Sequence, residues 1–269
     1  MRDDSTSQVV LHKEMPFLEI RLTKESGRIY EEHSHPMLSI GVMLEGETQF
    51  FLQGEEFRLQ TGMLAVIPPR MAHACNPLPS QTRSYFILHL SLDFCLEIQG
   101  RLFNEGGQNL LPLRAPRIFD PMMYQGLTSL IQSLLKGYDS LKGEAFWGWC
   151  ERFFARYTLE VSSRGDALIS EVAEYLEGDV EEASLAFLSK RFQINPYTLE
   201  RRFKKAYGTT PKRYHTDARL HRLKKLLRQG IPLALCAQYG GFSDQSHFQR
   251  FFKRRVALTP REYQLNFVQ

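Results

Sequence analysis

Between residues 17 and 92 the chain alternates short apolar segments with turn residues. The segments are FLEIRLTK, MLSIGVML, TQFFLQG, MLAVIPP and SYFILHLSL, and EGE, GEE, TG, PPR and PLPSQ separate them. Strand-forming residues in alternation, with glycine or proline at short spacing, are typical of antiparallel barrels and sandwiches. The pattern therefore predicts an antiparallel β-domain.

From about Asp120 the apolar period changes to that of a helix. DPMMYQGLTSLIQSLLKGY predicts a helix whose apolar stripe contains Met122, Leu127, Leu130, Ile131 and Leu134, and GEAFWGWCERFFARYTLEV predicts a second, aromatic-rich helix. Two adjacent apolar stripes exceed what one small barrel needs to cover. Such helices either cap the open side of the barrel or pair between subunits, and of these two we expect a homodimer that pairs through helices 120–160.

The polar stretch SSRGD at 162–166 is typical of a linker, and the chain beyond it has a helical pattern throughout. Helices are predicted over 167–178, 184–192, 196–208, 211–230, 233–240 and 245–255. Two tight helix-turn-helix units are thus joined by one long helix. The predicted class is α+β, with an antiparallel barrel (about 15–95) and helices in a domain at 1–161 and an all-α domain at 166–269.

Charge divides the chain in the same way. From Lys190 to the end there are 18 Lys and Arg against 4 Asp and Glu, a net charge of +14, which leaves −10 for residues 1–189. A basic last third predicts a module that binds a polyanion. The four cysteines are scattered, so no disulfide framework is predicted. The chain starts without an apolar segment and contains no apolar stretch of about 20 residues, so we expect it in the cytoplasm, with no membrane partner.

The basic third contains an internal repeat. At an offset of 49 residues, LERRFKK (199–205) aligns with FQRFFKR (248–254), and TPKRY (210–214) aligns with TPREY (259–263). In each copy two apolar residues four positions apart predict a buried stripe, with Arg and Lys beside it. Such a helix fits the major groove, and two of them on one rigid helix would enter successive grooves about 34 Å apart.

The stretch LSKRFQINPYTLERRFKKAYGTTPKRYHTDARLHRLKKLLRQG, with GGFSDQSHFQRFFKRRVALTPREY, resembles the double helix-turn-helix domain of AraC/XylS transcription regulators over roughly 167–265. The resemblance implies sequence-specific DNA binding. The sequence leaves activation and repression open, and contact with RNA polymerase is expected if the protein is an activator. It implies base contacts by Tyr197, Glu200, Arg201, Gln245, Ser246, His247 and Arg250. It implies phosphate contacts by Lys204, Lys205 and Arg254. Glu200 fits only by accepting from a cytosine amino group or by ordering Arg201.

Three residues depart from the family pattern. Gln193 replaces a turn glycine, Leu223 replaces an alanine of the linker helix, and Ala257 replaces the glycine before Thr-Pro. Each changes a turn or a packing contact, so each affects the stability of the domain and the relative orientation of the two helix-turn-helix motifs.

The first half resembles the cupin sensor domains of these regulators. HSH (33–35) matches the opening of one cupin motif, and GMLAVIPPRMAH (62–73) matches the second with Arg70 in place of a glycine. The acid expected three to five residues after H-x-H is missing, which argues against a three-histidine, one-glutamate iron enzyme. We therefore expect a regulator that is not an enzyme.

The sequence does not decide which ligand, if any, this barrel binds. His33, His35, His73 and Cys75 are of the types that hold Zn²⁺ or another divalent transition metal. The same histidines could bind an organic effector without metal, together with Met43, Phe51 and Tyr85 on neighbouring strands, or could lie unliganded at a rim. The function predicted is a DNA-binding regulator controlled by a small molecule or metal. The alternatives are a cupin oxygenase or isomerase fused to a DNA-binding module, a DNA-repair methyltransferase, for which the clustered cysteines are missing, and a barrel that only dimerises.

Overall fold

The structure is a computed structural model that describes residues 6–103, 110–159, 166–178, 180, 182–256 and 258–265. The strands are β1 (Thr6–Leu11), β2 (Leu18–Ser26), β3 (Leu38–Glu45), β4 (Glu47–Leu52), β5 (Glu55–Gln60), β6 (Leu64–Ile67), β7 (His73–Pro77), β8 (Arg83–Leu90) and β9 (Arg117–Ile118). The helices are α1 (Leu92–Phe103), α2 (Pro121–Leu134), α3 (Ser140–Tyr157), α4 (Ala167–Glu177), α5 (Leu185–Arg191), α6 (Pro196–Tyr207), α7 (Pro211–Arg228), α8 (Leu233–Tyr239), α9 (Gln245–Val256) and α10 (Pro260–Leu265). The predicted α+β class is confirmed.

The described residues divide into two compact units, which we call the barrel unit and the helical unit. The barrel unit contains the described residues up to Ile29, Pro36–Pro69, and 75–159. The helical unit contains Tyr30–His35, Arg70–Ala74, and the described residues from Asp166 onward. Two short segments from the first half of the sequence thus belong to the helical unit. Residues 162–165 of the predicted linker lie outside the described residues.

Two sheets build the barrel unit. One has the strand order β1-β2-β8-β3-β6-β9 and the other β5-β4-β7, and β2, β8, β3 and β6 pair antiparallel. Because side chains alternate along a strand, each face of the large sheet takes every second residue. One face carries Ile20, Ile40 and Leu88, which are fully buried in a core shared with α1, α2 and α3. The opposite face carries the polar residues described below.

Helix α2 corrects one detail of the predicted stripe. Its buried residues are Met123, Leu127, Ile131 and Leu134, whereas Met122 is 81% exposed. Asp120 caps the helix by accepting a hydrogen bond from the Met123 backbone N–H, which fixes where the first turn begins. Residues 123, 127, 131 and 134 then share one face, and Met122 lies off it.

The long helix α7 serves two cores of the helical unit. Tyr214, near its start, packs with Leu199 and Phe203 of α6 and with residues of α4. Leu223 and Leu227, nearer its end, pack with Phe248 and Phe252 of α9. Each helix-turn-helix motif therefore has its own hydrophobic core, and α7 connects the two.

Candidate nucleic-acid interface and effector residues

Helix α6 separates a buried stripe from an exposed basic face. Asn195 caps it by accepting from the backbone N–H groups of Tyr197 and Thr198, and Pro196 occupies its first turn. Leu199, Phe203 and Tyr207 are buried. The residues implied as DNA contacts lie on the other side: Tyr197, Arg201, Lys204 and Lys205 are exposed and Glu200 is partly exposed.

Glu200 is paired with Lys204 rather than with Arg201. Its carboxylate lies 3.0 Å from the Lys204 Nζ in an i,i+4 pair, which compensates the negative charge on this face. The neighbouring Arg202 points elsewhere, because it forms an ion pair with Asp166 at the start of α4. Arg201 and Arg202 are thus adjacent in sequence but play different parts, one exposed and one tied to a cap.

Helix α9 repeats the arrangement. Phe248, Phe252 and Val256 form its buried stripe. The five implied DNA contacts are all exposed: Gln245, Ser246, His247, Arg250 and Arg254. Both predicted recognition helices thus present the residue types that read major-groove edges and phosphates.

A small hydrogen-bond network opens α9. The Asp244 carboxylate accepts from the His247 backbone N–H at 2.7 Å and from the Ser243 hydroxyl at 3.0 Å. These bonds hold the pKa of Asp244 below its usual range. The Ser243 Oγ also lies 3.2 Å from the His247 Nδ1, and the Phe242 ring forms a T-shaped contact with the same imidazole, with ring centroids 5.1 Å apart.

The structure gives a physical account of two of the three family departures. Gln193 adopts φ +50°, the left-handed conformation that a glycine takes more easily. A Cβ on Gly240 would lie 3.0 Å from Leu223 and 2.7 Å from Phe242, so the larger Leu223 depends on a glycine at 240. Ala257 lies outside the described residues.

The three histidines of the cupin-like motifs lie together in the helical unit. His33 and His73 exchange backbone hydrogen bonds of 2.9 Å, and the ring centroids are 4.5 Å apart for His33 and His73 and 4.7 Å apart for His35 and His73. The Nδ1 atoms of His33 and His73 donate to the carbonyls of Glu31 and Met71 at 2.9 Å. Burial lowers the pKa of His73 to about 4, so this imidazole is neutral at pH 7.

Cys75, the fourth member of the predicted zinc set, belongs to the barrel unit. Burial raises the pKa of its thiol to about 12, so the thiolate that binds zinc is disfavoured at neutral pH. Within the ranges that the structure describes, no group of three or more His, Cys, Asp or Glu side chains is arranged to hold a metal ion.

The second face of the large sheet carries polar side chains beside apolar ones such as Ile67 and Ile87. Glu19, His89 and Ser39 are neighbours across β2, β8 and β3, and the Ser39 Oγ lies 2.6 Å from the His89 Nδ1. The next row but one contains Thr23, Tyr85 and Met43. Among the described residues the buried Thr23 hydroxyl has no hydrogen-bond partner. We call these six residues the polar sheet face.

The structure therefore brings together Met43 and Tyr85 of the predicted effector residues. Phe51 lies elsewhere, because Thr48, Phe50 and Leu52 form the buried face of β4 and Phe51 alternates with them. Its cross-strand partner is the exposed Glu56.

Asp217, which sequence reasoning missed, is almost fully buried in the middle of α7. Its carboxylate accepts from the Ser34 backbone N–H at 2.9 Å and from the Ser34 hydroxyl at 3.2 Å, and it also pairs with Arg255 near the end of α9. Burial raises its pKa. The available signal was its position, because 217 lies three residues from both Tyr214 and Leu220 on the apolar stripe of a basic helix.

Arg70 is a second connection within the helical unit. Its guanidinium donates two hydrogen bonds of 2.8 Å to Glu177 at the end of α4, and the Tyr214 hydroxyl donates to the same carboxylate. The cupin pattern has a glycine at this position, so the arginine that departs from the pattern supplies a bidentate ion pair.

Two family profiles match the chain. The profile described as "AraC-like ligand binding domain" matches residues 19–149, and the profile described as "Helix-turn-helix domain" matches residues 188–266. The first contains the polar sheet face, and the second contains both recognition helices.

Relatives agree with the profiles. The chain is 29% identical over 228 residues to YbfI of Bacillus subtilis, an uncharacterized HTH-type transcriptional regulator, with 81% of each chain covered. It is 25% identical to LumQ of Photobacterium leiognathi, a probable transcriptional regulator, over 90% of this chain and 94% of that one.

A crystal structure of ToxT from Vibrio cholerae has a similar fold, with a TM-score of 0.65 at 12% identity over 94% of this chain and 98% of that chain. No helix within the described ranges is both long and apolar enough to cross a bilayer. Two matched domains and relatives of nearly full length lead to one assignment. The chain belongs to the AraC family of transcriptional regulators and joins a ligand-binding domain to a DNA-binding helix-turn-helix domain.

Proposed function

We propose that the exposed faces of α6 and α9 read one operator in two successive major grooves. The observation that carries this proposal is the equivalence of the two helices: each buries one aromatic stripe against α7 and exposes basic and amide side chains. Tyr197, Glu200, Arg201, Gln245, Ser246, His247 and Arg250 contact bases. Lys204, Lys205 and Arg254 contact phosphates, which set the register without reading sequence.

Selection of binding sites from randomised DNA tests this proposal. The selected site should contain two short specified segments about one helical turn apart. Arg250→Ala should remove preference in only one segment and Arg201→Ala in only the other. A single specified segment, or loss of both segments with either variant, would contradict the assignment.

We propose that the effector binds at the polar sheet face of the barrel unit. The support is a buried hydroxyl at Thr23 without a partner among the described residues, beside Tyr85 and near the Ser39–His89 pair. A face that buries hydroxyl, carboxyl and imidazole groups suits a small polar molecule with several hydrogen-bonding groups. Gly41, which lies on β3 between the two rows, adds no side chain to this face.

A thermal-shift screen of sugars, hydroxy acids and amino acids identifies the effector. A ligand that binds the folded state raises the unfolding temperature by mass action. The shift should disappear in Ser39→Ala and Thr23→Val and persist in Gln49→Ala, which changes the exposed face of β4. A ligand whose shift survives Ser39→Ala and Thr23→Val would place the site elsewhere.

We propose that Tyr30–His35 and Arg70–Ala74 carry the response to the effector. Both segments belong to the helical unit, and each is continuous in sequence with barrel strands, the first with β2 and β3 and the second with β6 and β7. A change at Ser39 in β3 therefore needs only a few residues of chain to reach Ser34, whose hydroxyl donates to Asp217 at 3.2 Å. Ser34→Ala should weaken the effect of the ligand on operator affinity while leaving ligand binding intact.

The assembly is a further proposal. Exposed Phe119 and Met122, at the start of α2, and Leu141, in the first turn of α3, support a homodimer formed through helices 120–160. Met122→Glu should lower the sedimentation coefficient to that of a monomer.

Contact with RNA polymerase and activation of transcription are proposed from the family alone, and a reporter gene with a two-hybrid assay against polymerase subunits tests them.

Zinc at His33, His35, His73 and Cys75 remains a prediction. It is supported by the two Nδ1–H groups that donate to carbonyls, which leave Nε2 able to bind a metal. As placed, the side chains do not fit a closed metal set. Elemental analysis of wild type and of a His33→Ala, His35→Ala variant tests it, and a metal-free wild-type protein would contradict it.

We also propose that the barrel has no enzymatic activity, which a turnover screen with added metals tests.

A further inference from the structure

We propose that Ser243 fixes the tautomer of His247, and that His247 therefore selects bases that offer an amino hydrogen. The proposal rests on the assignment of α9 as a recognition helix and adds which chemistry one of its residues reads. The residues that carry it are Ser243, Asp244 and His247, which form the network at the start of α9.

The hydrogens of this network can be counted. The Asp244 carboxylate is ionised at neutral pH and accepts only. The Ser243 hydroxyl has one hydrogen, which it donates to Asp244 at 3.0 Å. Its oxygen can then only accept at the 3.2 Å contact with the His247 Nδ1, so the hydrogen in that contact belongs to the imidazole.

The opposite arrangement is weaker. If the Ser243 hydroxyl donated to His247 instead, the hydrogen bond that the charged Asp244 carboxylate accepts from it would be lost. Such bonds are about twice as strong as bonds between neutral groups. Of the two neutral tautomers, the network therefore favours the one that carries its hydrogen on Nδ1 and leaves Nε2 bare.

The bare Nε2 has a defined partner in the major groove. His247 is exposed in the first turn of α9, and the T-shaped contact with Phe242 limits the rotation of its imidazole. An Nε2 lone pair accepts from the N4 amino group of cytosine or the N6 amino group of adenine. The acceptor edges of guanine and thymine have no hydrogen to give there, so they are excluded.

Nitrogen-15 NMR on histidine-labelled full-length protein tests the tautomer at neutral pH. Wild type should show His247 with its hydrogen on Nδ1, and Ser243→Ala should shift the population toward the Nε2–H form. Ser243→Thr keeps a hydroxyl and should restore the wild-type signal. An Nε2–H imidazole in the wild type, or a spectrum that Ser243→Ala does not change, would overturn the proposal.

Binding-site selection tests the reading. One position should favour cytosine or adenine about fivefold in wild type, the lower end for a base contact. His247→Ala should flatten that position, and Ser243→Ala should admit guanine or thymine there while the positions read by Arg250 stay unchanged. A wild-type preference for guanine or thymine at the His247 position would overturn the proposal. So would a profile that His247→Ala leaves intact; if Arg250→Ala still flattened its own position, the assignment of α9 as a recognition helix would stand.

Discussion

At the scale of single residues, Asp120 ties two helices of the barrel unit together. Besides capping α2, its carboxylate accepts from the Tyr157 hydroxyl at 2.7 Å and pairs with Arg156 at 3.0 Å, both near the end of α3. The capping bond and the Tyr157 bond hold its pKa below the usual 3.8. A carboxylate with a depressed pKa stabilises the folded state above its unfolded pKa, and this contribution is lost as the pH falls through the folded value.

We therefore expect Asp120→Asn to be less stable than wild type at pH 7, with the difference shrinking as the pH falls below about 4. Both tryptophans of the chain, Trp147 and Trp149, lie in α3. Their fluorescence during urea unfolding between pH 3 and 7 thus reports this unit specifically. A difference that stays constant across that range would show that Asp120 does not stabilise the fold through its charge.

Gln193 gives a prediction in the opposite direction, toward higher stability. Its φ of +50° costs an L-residue about 1 kcal/mol, and a glycine avoids this cost at the expense of some chain entropy. Gln193→Gly should raise the free energy of unfolding by roughly 0.5 kcal/mol, measured by circular dichroism in urea. Gln193→Ala keeps the strain and serves as the control, so a glycine variant no more stable than the alanine variant would contradict the explanation.

Some residue positions follow from the sequence by a single rule. The exposed faces of α6 and α9 followed from the period of a helix, because Leu199, Phe203, Phe248 and Phe252 mark the buried side. The role of Asp217 does not follow in this way, because the sequence does not indicate that Ser34, 183 residues away, is its partner. Buried polar contacts of this kind depend on tertiary placement, which periodicity does not contain.

At the scale of elements, the turn between α8 and α9 holds two adjacent glycines for different reasons. Gly240 has φ −79°, which any residue adopts, but an added Cβ would lie 2.7 Å from Phe242 and 3.0 Å from Leu223. Gly241 has φ +63° and open space within 4 Å of an added Cβ. The first glycine is required by packing and the second by backbone conformation.

The two positions should respond oppositely to asparagine. Gly241→Ala should lower the free energy of unfolding by about 1 kcal/mol, and Gly241→Asn should lower it by less, because asparagine tolerates left-handed backbone. Gly240→Ala should lower it by about 1–3 kcal/mol, and Gly240→Asn should lower it by more, because the asparagine side chain is larger. Thermal unfolding by circular dichroism, with hydrogen exchange of the α8–α9 segment, measures both orders. The same order at the two sites would contradict the distinction.

The elements that the sequence predicted are those with long, clear periods. Strands β2, β3, β4, β6 and β8 and helices α2 to α9 all overlap predicted segments. Strand β5 was missed because EEFRLQ is mostly charged and exposed, which is typical of an edge strand and of a loop alike. Helix α1 was missed because its sequence continues the apolar run of β8 with neither glycine nor proline between them, although Ser91 caps the helix by accepting from the Phe94 backbone N–H.

At the scale of the whole molecule, the concentration of positive charge in the last third predicts strong salt dependence of operator binding. Each phosphate contact adds about 0.9 to the slope of log affinity against log salt concentration. Lys204→Ala should therefore lower that slope by about 1 for all DNA sequences, measured by fluorescence anisotropy at several salt concentrations. An unchanged slope would mean that Lys204 does not contact phosphate.

Arg201 and Arg202 provide a matched pair on one helix. Arg201→Ala should weaken specific binding by about 1–3 kcal/mol and relax selection at one position. Arg202→Ala removes the same charge but breaks the pair with Asp166, so it should lower the melting temperature and leave base selection unchanged. Equal effects on selection would contradict the orientation of the two side chains.

The molecule as a whole was predicted more completely than its ligand site. The repeat, the charge asymmetry and GFSDQSHFQRFFKR were sufficient for the DNA-binding domain, because recognition helices are local in sequence. The polar sheet face draws on β2, β3 and β8 and depends on register, which places Thr23, Tyr85 and Met43 in one row. These three residues are far apart in the sequence, and no single motif contains them.

The membership of Tyr30–His35 and Arg70–Ala74 in the helical unit limits the modularity of this regulator. A fragment that begins at Asp166 would lack Ser34 and Arg70, so Asp217 would keep its pair with Arg255 and Glu177 would keep the hydrogen bond from Tyr214, while the bonds from Ser34 and Arg70 are lost. Removing one partner from a buried charge destabilises a fold more than the pair stabilised it. Expression of the DNA-binding half alone should thus yield a protein that unfolds more readily than the same half within the whole chain.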